Sequence, residues 1–358
     1  MDFTFDDEQL ALQDVARWAM DEVGGALLRE LADNDVGFTP ELWERLVSLG
    51  WTSMLIPDEG AGLLEMCIVL EQMGRVPLPG PFFSSAVMAT LAARALGERG
   101  LLDELAAGHT RGTVAVLEQG HGDPLDTVRT RAIRRGAGWT LQGSKPVVVD
   151  GHTADWVIVA ALGEDGVRSF LVRQPEAELV PSLDPTRKLA RLTLDGTSAE
   201  PLGPAGSQVD LWRRVLDDIA VAFAAESVGV SDRALEMATE YAKVRVVFDQ
   251  PIATFQVVKH RIVDMFHALE LARVGVHYAA WSSDGDEPDR IRAAAMASAY
   301  AAEAAVKVTG DDIQLHGGVG FTWANDAHFL FKRAKQNETL MGGSGHQWQR
   351  LGTLFTEL

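Results

Sequence analysis

The sequence predicts an α+β protein in three stretches: an N-terminal helical domain, a central antiparallel β barrel or sandwich, and a C-terminal four-helix bundle. Three observations carry this. Apolar residues recur at helical spacing, with capping signals, to about residue 110. From 111 to about 205, short β-branched runs alternate with Gly, Asp or His, the rhythm of antiparallel strands. Long helical patterns return over 206–358.

In order along the chain, Asp6-Asp7-Glu8-Gln9 reads as a helix start, followed by an apolar face of Leu10, Leu12, Val15, Ala16 and Ala19. Thr39 then caps a helix that has Pro40 in its first turn. Gly50-Trp51 and Pro57-Asp58-Glu59-Gly60 break the pattern, and a helix resumes through Ile68, Leu70 and Met73. After the punctuation of Pro77, Pro79, Gly80 and Pro81 comes a small-residue helix from Ser84 to about Leu96. Predicted strands are Val114–Leu117, Thr127–Thr130, Trp139–Leu141, Val147–Val149, Trp156–Val159 and Arg168–Val172. Helices return near Ser207, and Phe255, Val258, Ile262, Met265, Phe266 and Leu269 are assigned to one face. Two further helices are expected from about Arg290 to Leu315 and from Ala327 to Phe355.

A chain of 358 residues with 47 % apolar content suits two or three packed subdomains. No apolar run approaches a membrane span, and the acidic N-terminus lacks the layout of a signal peptide, so the cytoplasm is expected. Fifty-one acids against thirty-two bases give a net charge of −19, a field that opposes nucleic acid and anionic membranes. The single cysteine, Cys67, lies in an apolar run and reads as buried and inert. The nine histidines show no pair at metal-ligand spacing with a carboxylate, so no metal is expected.

Two runs stand out. One is Arg245-Val246-Val247-Phe248-Asp249-Gln250-Pro251-Ile252, with Phe255-Gln256 and Lys259-His260 close behind. The other is Gln314-Leu315-His316-Gly317-Gly318-Val319-Gly320-Phe321. A basic residue after a helix also complements the helix C-terminus, the plainer reading of Arg245. His316 reads as a packing or hydrogen-bonding residue, and Gly317–Gly320 lacks the strand that a Rossmann turn requires.

Together the runs resemble the R-x-x-F-G-x-P-I-x-x-F-Q and Q-x-x-G-G-x-G-F/Y signatures of the acyl-CoA dehydrogenase family. The likeness extends over nearly the whole chain, through Gly50-Trp51, Leu70-Glu71-Gln72-Met73-Gly74-Arg75 and Gly138-Trp139-Thr140-Leu141-Gln142-Gly143-Ser144-Lys145. It implies the helical–β–helical architecture, FAD as cofactor and an acyl-CoA substrate. It also implies that Arg245, Phe248, Gln256, Gln314, Gly317 and Gly318 grip the ADP half of an FAD across a subunit boundary. The residue types suit such a grip, since a guanidinium neutralises pyrophosphate and glycines admit close backbone approach. Asp249 departs from the pattern, standing where the family has Gly.

Around the flavin ring the departures accumulate. Leu117-Glu118-Gln119-Gly120-His121-Gly122-Asp123 replaces the family's T-E-P-x-x-G-S-D, and Lys145-Pro146-Val147-Val148-Val149-Asp150 replaces K-x-W-I-T-N. The catalytic base, which must take the α-proton while a hydride leaves the β-carbon, is missing from both positions the family uses. Met341 occupies one and Ile219 the other, and Ala220 replaces the Arg of a D-x-x-R pair in Asp217-Asp218-Ile219-Ala220. Asp217, Asp218, Glu226 and Glu338 remain as substitutes. Asp218 is the best placed, although one helical residue is a rotation of about 100°.

This asymmetry resembles the degenerate partner subunit of actinobacterial heteromeric dehydrogenases that oxidise CoA esters of sterol side chains. The expected partner is a homologous Glu-bearing acyl-CoA dehydrogenase subunit, and the resemblance also suggests an electron-transferring flavoprotein as acceptor. Three other readings stay open: a homo-oligomeric dehydrogenase with a relocated base, a flavin monooxygenase, and a scaffold that binds no flavin.

Overall fold

The computed structural model describes residues 4–57, 61–120, 122–136 and 138–356. The expected break at Asp58–Gly60 and the position of His121 lie outside the described residues. Helical, β and helical stretches follow one another in the predicted order. The first comprises α1 (Asp7–Asp21), α2 (Gly24–Asp33), α3 (Pro40–Ser48), α4 (Leu63–Gly74), a π-helical segment (Phe83–Ala89), α5 (Thr90–Leu96) and α6 (Arg99–Ala106). Then come β1 (Gly112–Ala115), β2 (Arg131–Arg135), β3 (Gly138–Val149), β4 (Trp156–Gly163), β5 (Gly166–Arg173), β6 (Ala177–Val180) and β7 (Leu189–Leu202). The last stretch holds α7 (Val209–Val244), a hairpin of β8 (Val246–Val247) and β9 (Gln250–Pro251), α8 (Gln256–Asp284), α9 (Arg290–His316), α10 (Ala327–Thr339) and α11 (Gly343–Thr356). The chain divides into two compact units, residues 30–62 with 79–219, and residues 1–29 with 63–78 and 220–358.

The first of these units is built on the sheet. Strand order is β1-β4-β2-β3-β7-β5, and pairing of β4 with β5 closes a barrel, with β6 added on β7. Alternate residues fill its interior, among them Val157 and Val159 of β4, Phe170 and Val172 of β5, and Leu192 and Leu194 of β7. Pairing is mostly antiparallel, but β1 and β2 both run parallel to β4. The β2–β3 hairpin intervenes between β1 and β4, so β4 returns in the direction of β1.

Two strand expectations need correction. Thr127–Thr130 is not a strand: the Glu118 carboxylate accepts the backbone N–H groups of Arg129 (2.8 Å) and Thr130 (3.0 Å), so no ladder forms there. The predicted strands at Trp139–Leu141 and Val147–Val149 are one strand, β3, which passes through Gly143 at φ 153°. A Cβ at Gly143 would fall 2.8 Å from the Thr130 backbone, so only glycine fits there. The predicted helix from Ser84 opens as a fully buried π-helical turn before becoming α5.

In the second unit α1 begins as expected, with Asp6 and Gln9 forming a reciprocal capping box. Against α7, α4 approaches backbone to backbone: an added Cβ at Gly229 would lie 1.8 Å from the Glu71 carbonyl oxygen. The Glu71 carboxylate is buried and accepts from Arg273 Nε at 2.9 Å, which ties α4 to α8. Val230, Ala234 and Ala238 of α7 meet Met265 of α8, Val308 of α9, and Leu330 and Ala334 of α10 in one core. The Ala-rich face of α9 lets α8, α10 and α11 pack closely on it.

Phe266 is exposed, unlike Met265 and Leu269, because adjacent positions point about 100° apart. The helix expected from Ala327 to Phe355 is broken at Leu340–Gly342, where Met341 takes φ 53° and Gly343 φ 78°. Among the described residues no helix is long and apolar enough to cross a membrane.

Candidate functional site

The two signature runs lie at the ends of helices in the same unit. Arg245 follows α7, its N–H donating to the Tyr241 carbonyl at 2.9 Å and its own carbonyl accepting from Ile252 N–H at 2.8 Å. These bonds brace the β8–β9 hairpin, whose turn residues Phe248 and Asp249 both have positive φ, 52° and 62°. Positive φ at both central positions is the signature of a type I′ turn, which favours Asn-Gly or Asp-Gly. The Gly-to-Asp departure at 249 therefore falls on a position that requires the left-handed region, which Asp tolerates. Phe248 is 85 % exposed and leans edge-on toward Phe255, ring centroids 6.5 Å apart.

Phe255 is the N-cap of α8 and supplies no side-chain cap, so the N–H groups of Gln256 and Val257 have no hydrogen-bond partner among the described residues, while those of Val258 and Lys259 donate to the Phe255 carbonyl. At the other run, α9 ends at His316 and Gly317 turns the chain at φ 63°. Added Cβ atoms at Gly317 and Gly318 would meet nothing within 4 Å, so backbone is open to an incoming ligand.

Tyr241 stacks on His316 with ring centroids 4.4 Å apart, and Arg261 pairs with Asp311 at 3.5 Å. The first contact places the C-terminal ends of α7 and α9 side by side, and the second ties the first turns of α8 to the end of α9. Burial disfavours the His316 imidazolium, but the carboxylate and carbonyl of Asp312 outweigh it and raise its pKa above the usual histidine value. His316 is thus a packing and hydrogen-bonding residue that joins the two runs.

Arg245, Phe248, Gln256, Gln314, Gly317 and Gly318 are all exposed. The Arg245 guanidinium has no hydrogen-bond or ion-pair partner among the described residues. A free guanidinium, an uncapped helix N-terminus and open glycine backbone together suit a pyrophosphate. The ADP half of an FAD fits these residues.

The ring-side positions are different. Lys145 is fully buried and donates to Glu118 at 2.7 Å and to the Val116 carbonyl at 3.2 Å. Burial pulls its pKa down to about 8, although Glu118 opposes the fall. Burial likewise resists Glu118 ionisation, but Lys145 and the Thr130 N–H hold it below the ordinary carboxylate range. These two retained motif residues lock the 117–130 loop onto the barrel. Beside them Leu117 and Val147 are half-buried and Val149 is buried. Their aliphatic side chains offer no hydrogen bond to a flavin ring.

Met341 is buried in its left-handed turn, beside a cavity of ≈ 20 Å³, room for about one water. Ala220, Phe223, Ser227, Ser298, Asn337 and Gln347 contribute to its lining, which contains no carboxylate. Ile219 is buried in α7, with Asp217 buried and Asp218 half-buried next to it. Glu226 is held by Arg333 at 2.5 Å and by Asn337 at 2.9 Å, and Glu338 pairs with Lys335. Sequence reasoning missed the Glu226–Arg333–Asn337 network. Its signal was present: Arg333 and Asn337 follow Phe329 at four-residue steps on an otherwise apolar helix face.

Comparison with known proteins bears on these features. Residues 6–101 match the profile described as "Acyl-CoA dehydrogenase, N-terminal domain", and residues 209–353 that of "Acyl-CoA dehydrogenase, C-terminal domain". The chain is 32 % identical to acyl-CoA dehydrogenase IpdE2 of Mycobacterium tuberculosis, covering 97 % of this chain and 96 % of that one. A chain of a variant Tcur3481–Tcur3483 steroid ACAD matches with TM-score 0.88 and 31 % identity, over 98 % of both chains. A chain of the ChsE4–ChsE5 complex from Mycobacterium tuberculosis matches with TM-score 0.89 and 29 % identity, over 100 % of both.

Proposed function

The chain belongs to the acyl-CoA dehydrogenase family, and on that premise we propose that it is the base-less subunit of a heteromeric, FAD-dependent dehydrogenase of CoA thioesters. In this reading it lends the ADP-binding half of an FAD site to a homologous partner that carries the catalytic glutamate. Its own residues hold the dinucleotide end: Arg245 neutralises pyrophosphate, the α8 N-terminus and the Gly317–Gly318 backbone receive it, and Phe248 packs on it. When bound, FAD supplies the hydride acceptor.

One observation carries the reading most of the way. The outward-facing ADP residues are exposed and the Arg245 guanidinium has no partner among the described residues, while the base position holds a buried methionine beside a cavity with no carboxylate. Similarity to a steroid ACAD and to a two-component complex supports a CoA thioester of a steroid side chain as substrate and a heteromer as the assembly.

The rival with a relocated base rests on Asp218, the half-buried neighbour of Ile219 on α7. Turnover of acyl-CoA should be measured for the chain alone, and for the chain with a Glu-bearing partner. Loss of a general base costs about 10²–10⁴-fold, so the chain alone should be silent and the pair active, with Asp218→Asn without effect. Robust turnover by the single chain, abolished by Asp218→Asn, would establish the rival instead.

A further inference from the structure

Strand β2 carries a concentration of charge that the dinucleotide grip leaves unused. Residues 129–135 hold four arginines, Arg129, Arg131, Arg134 and Arg135, and no acid, in a chain of net charge −19. All four are exposed. Arg129 donates only to the backbone carbonyls of Asp126 and Val128, both at 2.8 Å. The guanidinium groups of Arg131, Arg134 and Arg135 have no hydrogen-bond or ion-pair partner among the described residues. Like charges this close on a sheet repel one another, yet a chain rich in carboxylates leaves them unpaired.

The backbone of the same strand is open on one side. β2 pairs with β3 along its whole length, from Arg131 opposite Gln142 to Arg135 opposite Gly138. Toward β4 the pairing is confined to Arg131 with Leu162, where Leu162 N–H donates to the Thr130 carbonyl at 2.7 Å. Backbone groups alternate sides along a strand, so those of Arg134, like the Thr130 carbonyl, point away from β3. Beyond Leu162 the chain turns into β5, with Gly163 paired to Gly166. Among the described residues the N–H and C=O of Arg134 therefore meet no strand, and β2 ends as a free sheet edge.

We propose that this edge receives an extended acidic segment of a partner protein, which adds to β2 as an antiparallel strand. Its backbone exchanges both hydrogen bonds with Arg134, and its carboxylates meet Arg134 and Arg135 on opposite faces of the sheet. An apolar residue fits opposite Ile133, which is half-buried between Arg131 and Arg135 on one face. A second copy of β2 is turned away, because like charges would meet along the edge. Nucleic acid has no peptide groups to match the edge, and the field of the whole chain opposes it. β2 belongs to the unit built on the sheet, so the contact draws on none of the ADP residues, which belong to the other unit.

Fluorescence anisotropy of a labelled peptide titrated with the full chain tests the proposal. The probe is Thr-Glu-Glu-Val-Thr-Thr, capped at both ends. Its two glutamates fall opposite Arg135 and Arg134, and its valine falls opposite Ile133. Saturable binding is expected, weakened about tenfold by Arg134→Glu with Arg135→Glu and regained when lysines replace the peptide's glutamates. Both positions are exposed, so the double variant should fold, which circular dichroism checks. Methylating the backbone nitrogen of the second glutamate should abolish binding, since it removes the N–H that the Arg134 carbonyl accepts. Amide exchange at Arg134 should slow about tenfold in the complex. An absence of saturable binding, binding indifferent to the arginine changes, equal binding of the methylated peptide, or tighter binding of an oligothymidylate at the same ionic strength would each overturn the proposal.

Discussion

At Asp249 a single residue shows how a departure from a family pattern can be read physically. With φ at 62°, its backbone lies where non-glycine residues cost roughly 1–2 kcal/mol and Asp costs less than most. Phe248, at φ 52°, carries the larger strain, and its ring stays largely exposed. Strain kept at an exposed position points to use by a ligand or partner. Asp249→Val should lower stability by about 1–2 kcal/mol, whereas Asp249→Gly should stay within about 0.5 kcal/mol. Thermal unfolding of the two variants decides this, and equal effects would remove the turn argument. Met341 was not legible in the same way. Its identity at the base position could be read from the chain, but its left-handed conformation follows from the helix break, which the pattern did not reveal.

Elements were legible where local chemistry governs them. Asp6 with Gln9 and Thr39 with Pro40 announce α1 and α3, because caps act within one turn. Legibility failed where a distant group took over the backbone. Thr127–Thr130 has the composition of a strand, yet Glu118 accepts the N–H groups of Arg129 and Thr130 and is itself held by Lys145 from β3. The Gly342–Gly343 pair interrupts a helical period too briefly to cancel it, and the run reads as continuous. The approach of α4 to α7 is a third tertiary effect, invisible until both helices are placed. Since a Cβ at Gly229 would sit 1.8 Å from the Glu71 carbonyl oxygen, both helices would have to separate. Gly229→Ala should therefore destabilise by at least about 1–3 kcal/mol, despite the better helix propensity of alanine. An unchanged denaturation midpoint would contradict that packing.

For the whole molecule, the order of helical, β and helical stretches could be read from period alone, since hydrophobic spacing survives whatever the tertiary arrangement. The grouping into compact units could not: residues 1–29 and 63–78 join 220–358 through contacts far apart in sequence. The candidate site was half legible. Arg245, Phe248, Gln256, Gln314, Gly317 and Gly318 could be named from motif, and they are exposed, with the two runs joined through Tyr241 and His316. That stacking pair is a contact between helix ends and leaves no periodic trace. The net charge of −19 sharpens the role of Arg245, whose free guanidinium is a local exception to a field that repels phosphate.

The central claim, that this chain supplies the dinucleotide grip of a shared FAD, is tested most directly by flavin absorbance of the assembled complex carrying Arg245→Ala in this chain. Removing the guanidinium leaves pyrophosphate charge uncompensated and should cost on the order of 2–5 kcal/mol of FAD affinity. The purified complex should then lose most of its visible flavin spectrum while staying assembled. Flavin content equal to that of the unaltered complex would contradict the claim.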